Sequence, residues 1–144
     1  MQVMDPTVVV IDDSRAFRGA LADLVDAADG FSLAGEADSG EEGVRLVEEL
    51  RPDIVLLDDR LAGIDGVEAA DRIAALGLPA LVVLLTAGDA VALGERARRV
   101  GVAAVVDKHR LRPSVLQEIW AARTADRQDP SEGEMTQMTE KRQR

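Results

Sequence analysis

Two aspartate pairs stand directly behind runs of branched apolar residues. Asp12-Asp13 follows "TVVVI" (7–11), and Asp58-Asp59 follows "DIVLL" (53–57). A third run, "ALVVLL" (80–85), leads into Thr86, and a fourth, "AAVV" (103–106), leads into Asp107-Lys108. Carboxylates at the end of a buried-looking segment cost stability unless a cation meets them, and neighbouring like charges raise each other's pKa. Hard carboxylate oxygens at an open edge suit Mg²⁺, which is held by a few protein oxygens together with water and phosphate. A carboxylate nucleophile, a divalent metal, an ammonium and a hydroxyl together make a phosphoryl-transfer site. The metal and the lysine neutralise phosphoryl oxygens, and the hydroxyl takes the last one. Singly, each residue has a plainer reading. Asp12 or Asp13 could cap a helix, Thr86 could be an ordinary strand residue and Lys108 a surface lysine. Their occurrence together, at the ends of four runs in order, favours the site.

The elements that must position these residues are legible in the patterning. The runs at 7–11, 53–57 and 80–85 are nearly all apolar, as in strands of a parallel sheet covered on both faces. "FSLAGEA" (31–37) and "AAVV" (103–106) read as two further strands. Helix-period stretches lie between them. Phe17, Leu21, Leu24 and Val25 share a face in the first. Ser39 with Glu42 forms a capping box for the second, which continues with Val44, Val47 and Leu50. Asp65 caps the third, with Val67, Ala70, Ile73 and Ala74 inward. The fourth, about 91–100, has few large apolar residues, and the fifth opens at Pro113 and presents Val115, Leu116, Ile119 and Trp120. Five β–α units in series predict an α/β fold, a doubly wound five-stranded parallel sheet of order 2-1-3-4-5, flavodoxin-like. Its ligand crevice lies at the carboxyl ends of strands one and three, where Asp12, Asp13 and Asp58 would meet.

The chain has 144 residues, enough for one domain with a full core. With 47% hydrophobic but 2% aromatic residues, the core must be built from Val, Leu, Ile and Ala. Seventeen basic residues against 27 acidic ones give a formal charge of −10, which argues against nonspecific binding to nucleic acid or an anionic membrane. There is no cysteine, so thiol and disulfide chemistry are excluded. No apolar run approaches the roughly 18–20 residues of a membrane span, and the N-terminus lacks the pattern of a signal peptide. A cytoplasmic location is the expectation. The polar stretch 125–144 has Met135 and Met138 as its large apolar residues and is expected to be a disordered tail behind a domain at 1–124.

Taken together, "VVVIDDS", "PDIVLLDDRLAGIDG", "LTAGD" and "VVDK" resemble the signatures of the receiver domain of two-component response regulators, over about residues 6–124. The resemblance implies a (βα)5 receiver that accepts a phosphoryl group on Asp58. It also implies Mg²⁺ held by Asp13 directly, by Asp12 mostly through water, by Asp58 and by the Arg60 backbone carbonyl, with Thr86 and Lys108 on the phosphoryl oxygens. The implied donor is a sensor histidine kinase or phosphotransfer protein. The implied output is a downstream protein bound through the face of the fourth helix, fifth strand and fifth helix, with the chain a monomer or weak dimer and no nucleic acid or membrane involved.

Three positions depart from the family pattern. Ala62 stands where many receivers have Pro, Val105 where a switch Tyr or Phe is usual, and His109 where Pro often follows the lysine in a cis bond. The expectation at the last is a trans Lys108–His109 bond, since a cis bond before a non-proline residue costs about 2.5–4 kcal/mol. His109, the single histidine, reads as a solvated surface residue. The whole reads as a stand-alone receiver, not a turnover enzyme. One rival is an aspartate-nucleophile phosphatase, but its general acid would fall at Arg60. The other is a receiver-like docking module that works without phosphorylation, which Val105 keeps open.

Overall fold

The structure is a computed structural model that describes the backbone of residues 5–128 and the side chains of residues 5–123. Five strands, β1 (Thr7–Ile11), β2 (Ser32–Ala37), β3 (Ile54–Asp58), β4 (Leu81–Thr86) and β5 (Ala104–Asp107), alternate with α1 (Arg15–Ala27), α2 (Gly40–Leu50), α3 (Gly66–Ala75), α4 (Ala90–Arg99) and α5 (Pro113–Gln128). The strands pair in parallel in the order β2-β1-β3-β4-β5, as expected from the alternation.

Apolar runs become central strands because both faces are covered. Val9, Ile11, Val55, Leu57, Val82 and Leu84 form one cluster with Val47 of α2, Ala69, Ala70 and Ile73 of α3 and Ala97 of α4. The intervening Val8, Val10, Ile54, Leu56, Val83 and Leu85 are also fully buried, and α1 buries Leu21 and Val25. Side chains alternate faces along a strand, so burial on both sides leaves no polar position until the strand ends. Polarity therefore begins abruptly at the carboxyl edge. Among the described residues the buried polar or charged groups are Asp12, Asp58 and Thr86.

Several helix starts follow local rules. Ser39 caps α2 by accepting from Glu42 N–H, and Asp65 caps α3 by accepting from Glu68 N–H. The reciprocal half of the Ser39 box is not used, because the Glu42 carboxylate pairs with Arg45. Two inward positions differ from the pattern. Ala69 is buried in α3 where Ala74 was expected, and Leu50 at the end of α2 is exposed. The wider buried stripe of α3 follows from its 3.6-residue period, which brings 66, 69, 70 and 73 to one side.

The described chain divides into two compact units, one ending at Pro113 and one beginning at Ser114. Helix α5 opens at Pro113 as expected and runs to Gln128, the second unit holding it from Ser114 onward. The helix formers Ala121, Ala122, Arg123, Ala125 and Gln128 suit its last turns. Residues 129–144, the remainder of the expected tail, lie outside the described residues. No helix among the described residues is long and apolar enough to cross a membrane.

Candidate functional site

β1 and β3 are neighbours, with Ile11 opposite Leu57, so the residues that follow them emerge together. Asp12 and Asp58 are buried and Asp13 is exposed. One carboxylate oxygen from each lies within 4.8 Å of the others. The N-cap of α1 is Ser14, whose hydroxyl accepts from Phe17 N–H at 3.2 Å, so neither aspartate is consumed as a helix cap. Asp12 instead braces the turn, its Oδ1 accepting from Ser14 N–H at 2.8 Å. Its backbone carbonyl accepts from the Arg18 guanidinium at 2.8 Å.

β5 delivers Lys108 to the same place. Its Nζ lies 3.2 Å from Asp12 Oδ2 and 3.2 Å from Asp58 Oδ1, and 4.0 Å from the centroid of the Phe17 ring. Phe17 was legible in the sequence as an inward helical residue; its place as a cation–π platform was not, since helical spacing reports a face and not what crosses it. A 3₁₀ turn at Lys108–Arg110 follows, capped by Asp107, whose Oδ1 accepts from His109 N–H at 2.8 Å. No peptide bond among the described residues is cis, so the Lys108–His109 bond is trans as expected, and His109 is exposed.

Burial is the main influence on Asp58. Together with the charge on Asp12 it pushes the carboxyl up from 3.8 to about 6, against the pull of Lys108 and the Arg60 N–H. That N–H lies at 3.4 Å from Asp58 Oδ1. One lysine therefore does not compensate the buried acids. Asp12 Oδ2 faces Lys108 but makes no hydrogen bond, which leaves a buried anionic oxygen with coordinating capacity to spare. An all-oxygen donor set of three carboxylates, part buried and part open to water, fits a hard divalent cation such as Mg²⁺.

Thr86 is buried at the end of β4, and its hydroxyl is engaged by two other groups. It donates to Asp59 Oδ2 at 2.9 Å and accepts from Gly88 N–H at 2.9 Å. Asp59 was not singled out from the sequence as a site residue. What places it is register, which residue types do not state: Asp58 pairs with Leu85, so the next residues along, Asp59 and Thr86, are level. The backbone here is held tightly. Asp59 N–H donates to Leu85 O at 2.9 Å, and Asp59 O accepts from Gly66 N–H at 3.0 Å. Gly66 comes so close that a Cβ on it would lie 2.3 Å from Asp58 O and 2.6 Å from Asp59 Cα. The loop between β3 and α3, which carries Arg60 and Ala62, is tied to α2 through Glu41, whose carboxylate accepts from Ile64 N–H at 3.3 Å.

Comparison with known proteins identifies the family and the fold. A family model described as the response regulator receiver domain matches residues 8–120. The positive alginate biosynthesis regulatory protein of Pseudomonas aeruginosa is 42% identical over 87 residues, 60% of this chain and 35% of that protein. The nitrate/nitrite response regulator protein NarL of Escherichia coli K12 is 32% identical over 83 residues, 58% of this chain and 38% of that protein. The match thus spans little more than a third of either relative. Among solved structures, the signal receiver domain of NarL from Mycobacterium tuberculosis superposes with a TM-score of 0.77 at 29% identity, covering 83% of this chain and 97% of that one.

Proposed function

The chain belongs to the response regulator receiver domain family, and from that premise we propose that it accepts a phosphoryl group on Asp58 from a histidine kinase or phosphotransfer protein and so switches its affinity for a partner protein. The observation that supports this most is Lys108 lying 3.2 Å from both Asp12 and Asp58 within a cluster of three carboxylates. In the transfer, an oxygen of ionised Asp58 attacks phosphorus while the bond from phosphorus to the donor's imidazole nitrogen breaks and the electron pair leaves on that nitrogen. Burial and Asp12 hold the Asp58 carboxyl above its ordinary value, and a cation held beside it would favour the ionised, nucleophilic form.

Lys108 neutralises one phosphoryl oxygen and Thr86, once turned, donates to another. Asp13, Asp58, the Arg60 backbone carbonyl and, through water, Asp12 would hold Mg²⁺, which supplies positive charge against the equatorial oxygens. The chain is itself the acceptor, so this chemistry is signalling and not turnover of a released substrate. The partner surface is proposed to include α4 and β5. The proposal concerns the receiver step; what the longer relatives regulate is theirs.

Incubation with Mg²⁺ and acetyl phosphate is expected to add one phosphoryl group, seen by intact mass and lost to hydroxylamine, and Asp58→Asn is expected to add none. Equal labelling of Asp58→Asn, mapped to another residue, would refute the assignment. A docking module independent of phosphorylation is the second reading, favoured by Val105, whose short, branched side chain cannot swing as an aromatic ring does. Unchanged partner affinity on saturation with beryllofluoride and Mg²⁺ would select it.

A further inference from the structure

The hydroxyl of Thr86 has one proton to give. In this structure that proton goes to Asp59 Oδ2 at 2.9 Å, while Gly88 N–H holds the oxygen from the other side at 2.9 Å. Thr86 is 1% exposed, so water does not stand in readily for either partner. To reach a phosphoryl oxygen on Asp58 the hydroxyl must leave Asp59. We propose that Asp59 is a positioning residue that holds Thr86 in its resting orientation and so sets how readily the phosphorylated state forms. This rests on the reading of Asp58 as phosphoryl acceptor and adds a competitor to it.

The competitor cannot easily follow the hydroxyl. Asp59 N–H is fixed to Leu85 O, its carbonyl to Gly66 N–H, and Gly66 is packed against the 58–59 backbone with no room for a side chain. The carboxylate is therefore presented from a clamped stretch of main chain, level with Thr86 on the adjacent strand. Thr86 has two acceptors to choose between, one held in place beside it by the clamped main chain, the other present only after transfer. Losing the fixed one biases the choice.

Beryllofluoride with Mg²⁺, titrated against the full chain by calorimetry, reads that choice. Asp59→Ala removes the acceptor and its charge; Asp59→Asn removes the charge but keeps an oxygen that can still accept. Because hydrogen bonds to charged groups are the stronger ones, Asp59→Ala is expected to tighten beryllofluoride about tenfold, with Asp59→Asn in between. In a Thr86→Val background, which has no hydroxyl to hold, the difference between Ala and Asn is expected to vanish. Equal affinities of Asp59→Ala and Asp59→Asn, or a difference that persists without the hydroxyl, would overturn the latch and leave only a charge effect. Failure of the wild-type chain to bind beryllofluoride at all would overturn the acceptor reading itself, and the latch with it. In the resting protein the Gly88 amide resonance and the Thr86 side-chain couplings are expected to move in Asp59→Ala and to stay in Asp59→Asn; no movement in either would also overturn the latch.

Discussion

Asp58 is the residue where stability and the proposed function oppose each other. Its carboxyl is raised from 3.8 to about 6 because burial and Asp12 disfavour the charged form. A group with a raised native pKa binds its proton more tightly when folded. Its stabilising contribution is therefore complete below about 3.8 and is lost as pH rises through about 6. At pH 7, with metal chelated, ionised Asp58 works against the fold by up to about 3 kcal/mol, and Asp58→Asn is expected to be more stable than wild type. The gain is expected to shrink as pH falls from 7 to 4, measured by urea unfolding; a gain that is constant across that range would show that Asp58 is not under this strain. Asp12, Asp58 and Thr86 could be singled out in the sequence because each directly follows an apolar run, and Asp13 and Lys108 because each stands one residue further on, where a strand end fixes position. The bond from Thr86 to Asp59 was not, because it depends on strand register, which residue types do not state. Nor was the choice of Ser14 over either aspartate as helix cap, since all three residue types cap well.

At the scale of elements, α4 is the weakly held part. Ala97 is its one buried residue, Val91 is 88% exposed, and its cap Asp89 sits on the exposed stretch Ala87–Asp89 that leads directly from Thr86. An ion pair from Arg96 to Asp65 at 3.9 Å is a surface contact worth little. Elements with few buried apolar contacts open at low free energy. Val105, in β5, is partly buried against the core and lacks the reach to carry movement outward. Beryllofluoride with Mg²⁺ is therefore expected to alter hydrogen exchange most across residues 86–100 and little across 103–106. Change confined to 103–106 with α4 silent would place the moving part elsewhere. The weakness of α4 was readable from its composition, and the trans turn after Lys108 from the missing proline. That Asp107 would cap that turn was not, because the acid reads equally well as a member of the pocket.

For the molecule as a whole, the strand order and the two-sided burial of the sheet were legible because parallel strands need apolar faces on both sides, and the alternation of elements leaves few ways to join them. At its far end the composition is less telling, since helix propensity carries α5 to Gln128 through residues that are mostly polar. Metal binding is expected to feed back on the stability of the entire fold. A cation that binds only the folded state adds about 2.7 kcal/mol at a concentration 100 times its dissociation constant. The rise in melting temperature with Mg²⁺ is expected to be largest in wild type, smaller in Asp12→Asn and smallest in Asp13→Asn; equal rises in all three would place the cation elsewhere.

The described fold keeps its buried polar and charged groups at one edge of the sheet: Asp12, Asp58 and Thr86. A screening consequence follows. Ligands gripping the outer surface relieve no desolvated charge, whereas a cation entering between β1 and β3 does; that relief enters its affinity, so at equal concentration a cation held there should raise the melting temperature more than one held on the surface. The melting curve thus reports binding without a label, and comparison with a pocket variant shows whether a divalent ion, alone or with a phosphate mimic, occupies this edge. Asp58→Asn is the matched blank, its curve already lifted and expected to respond least.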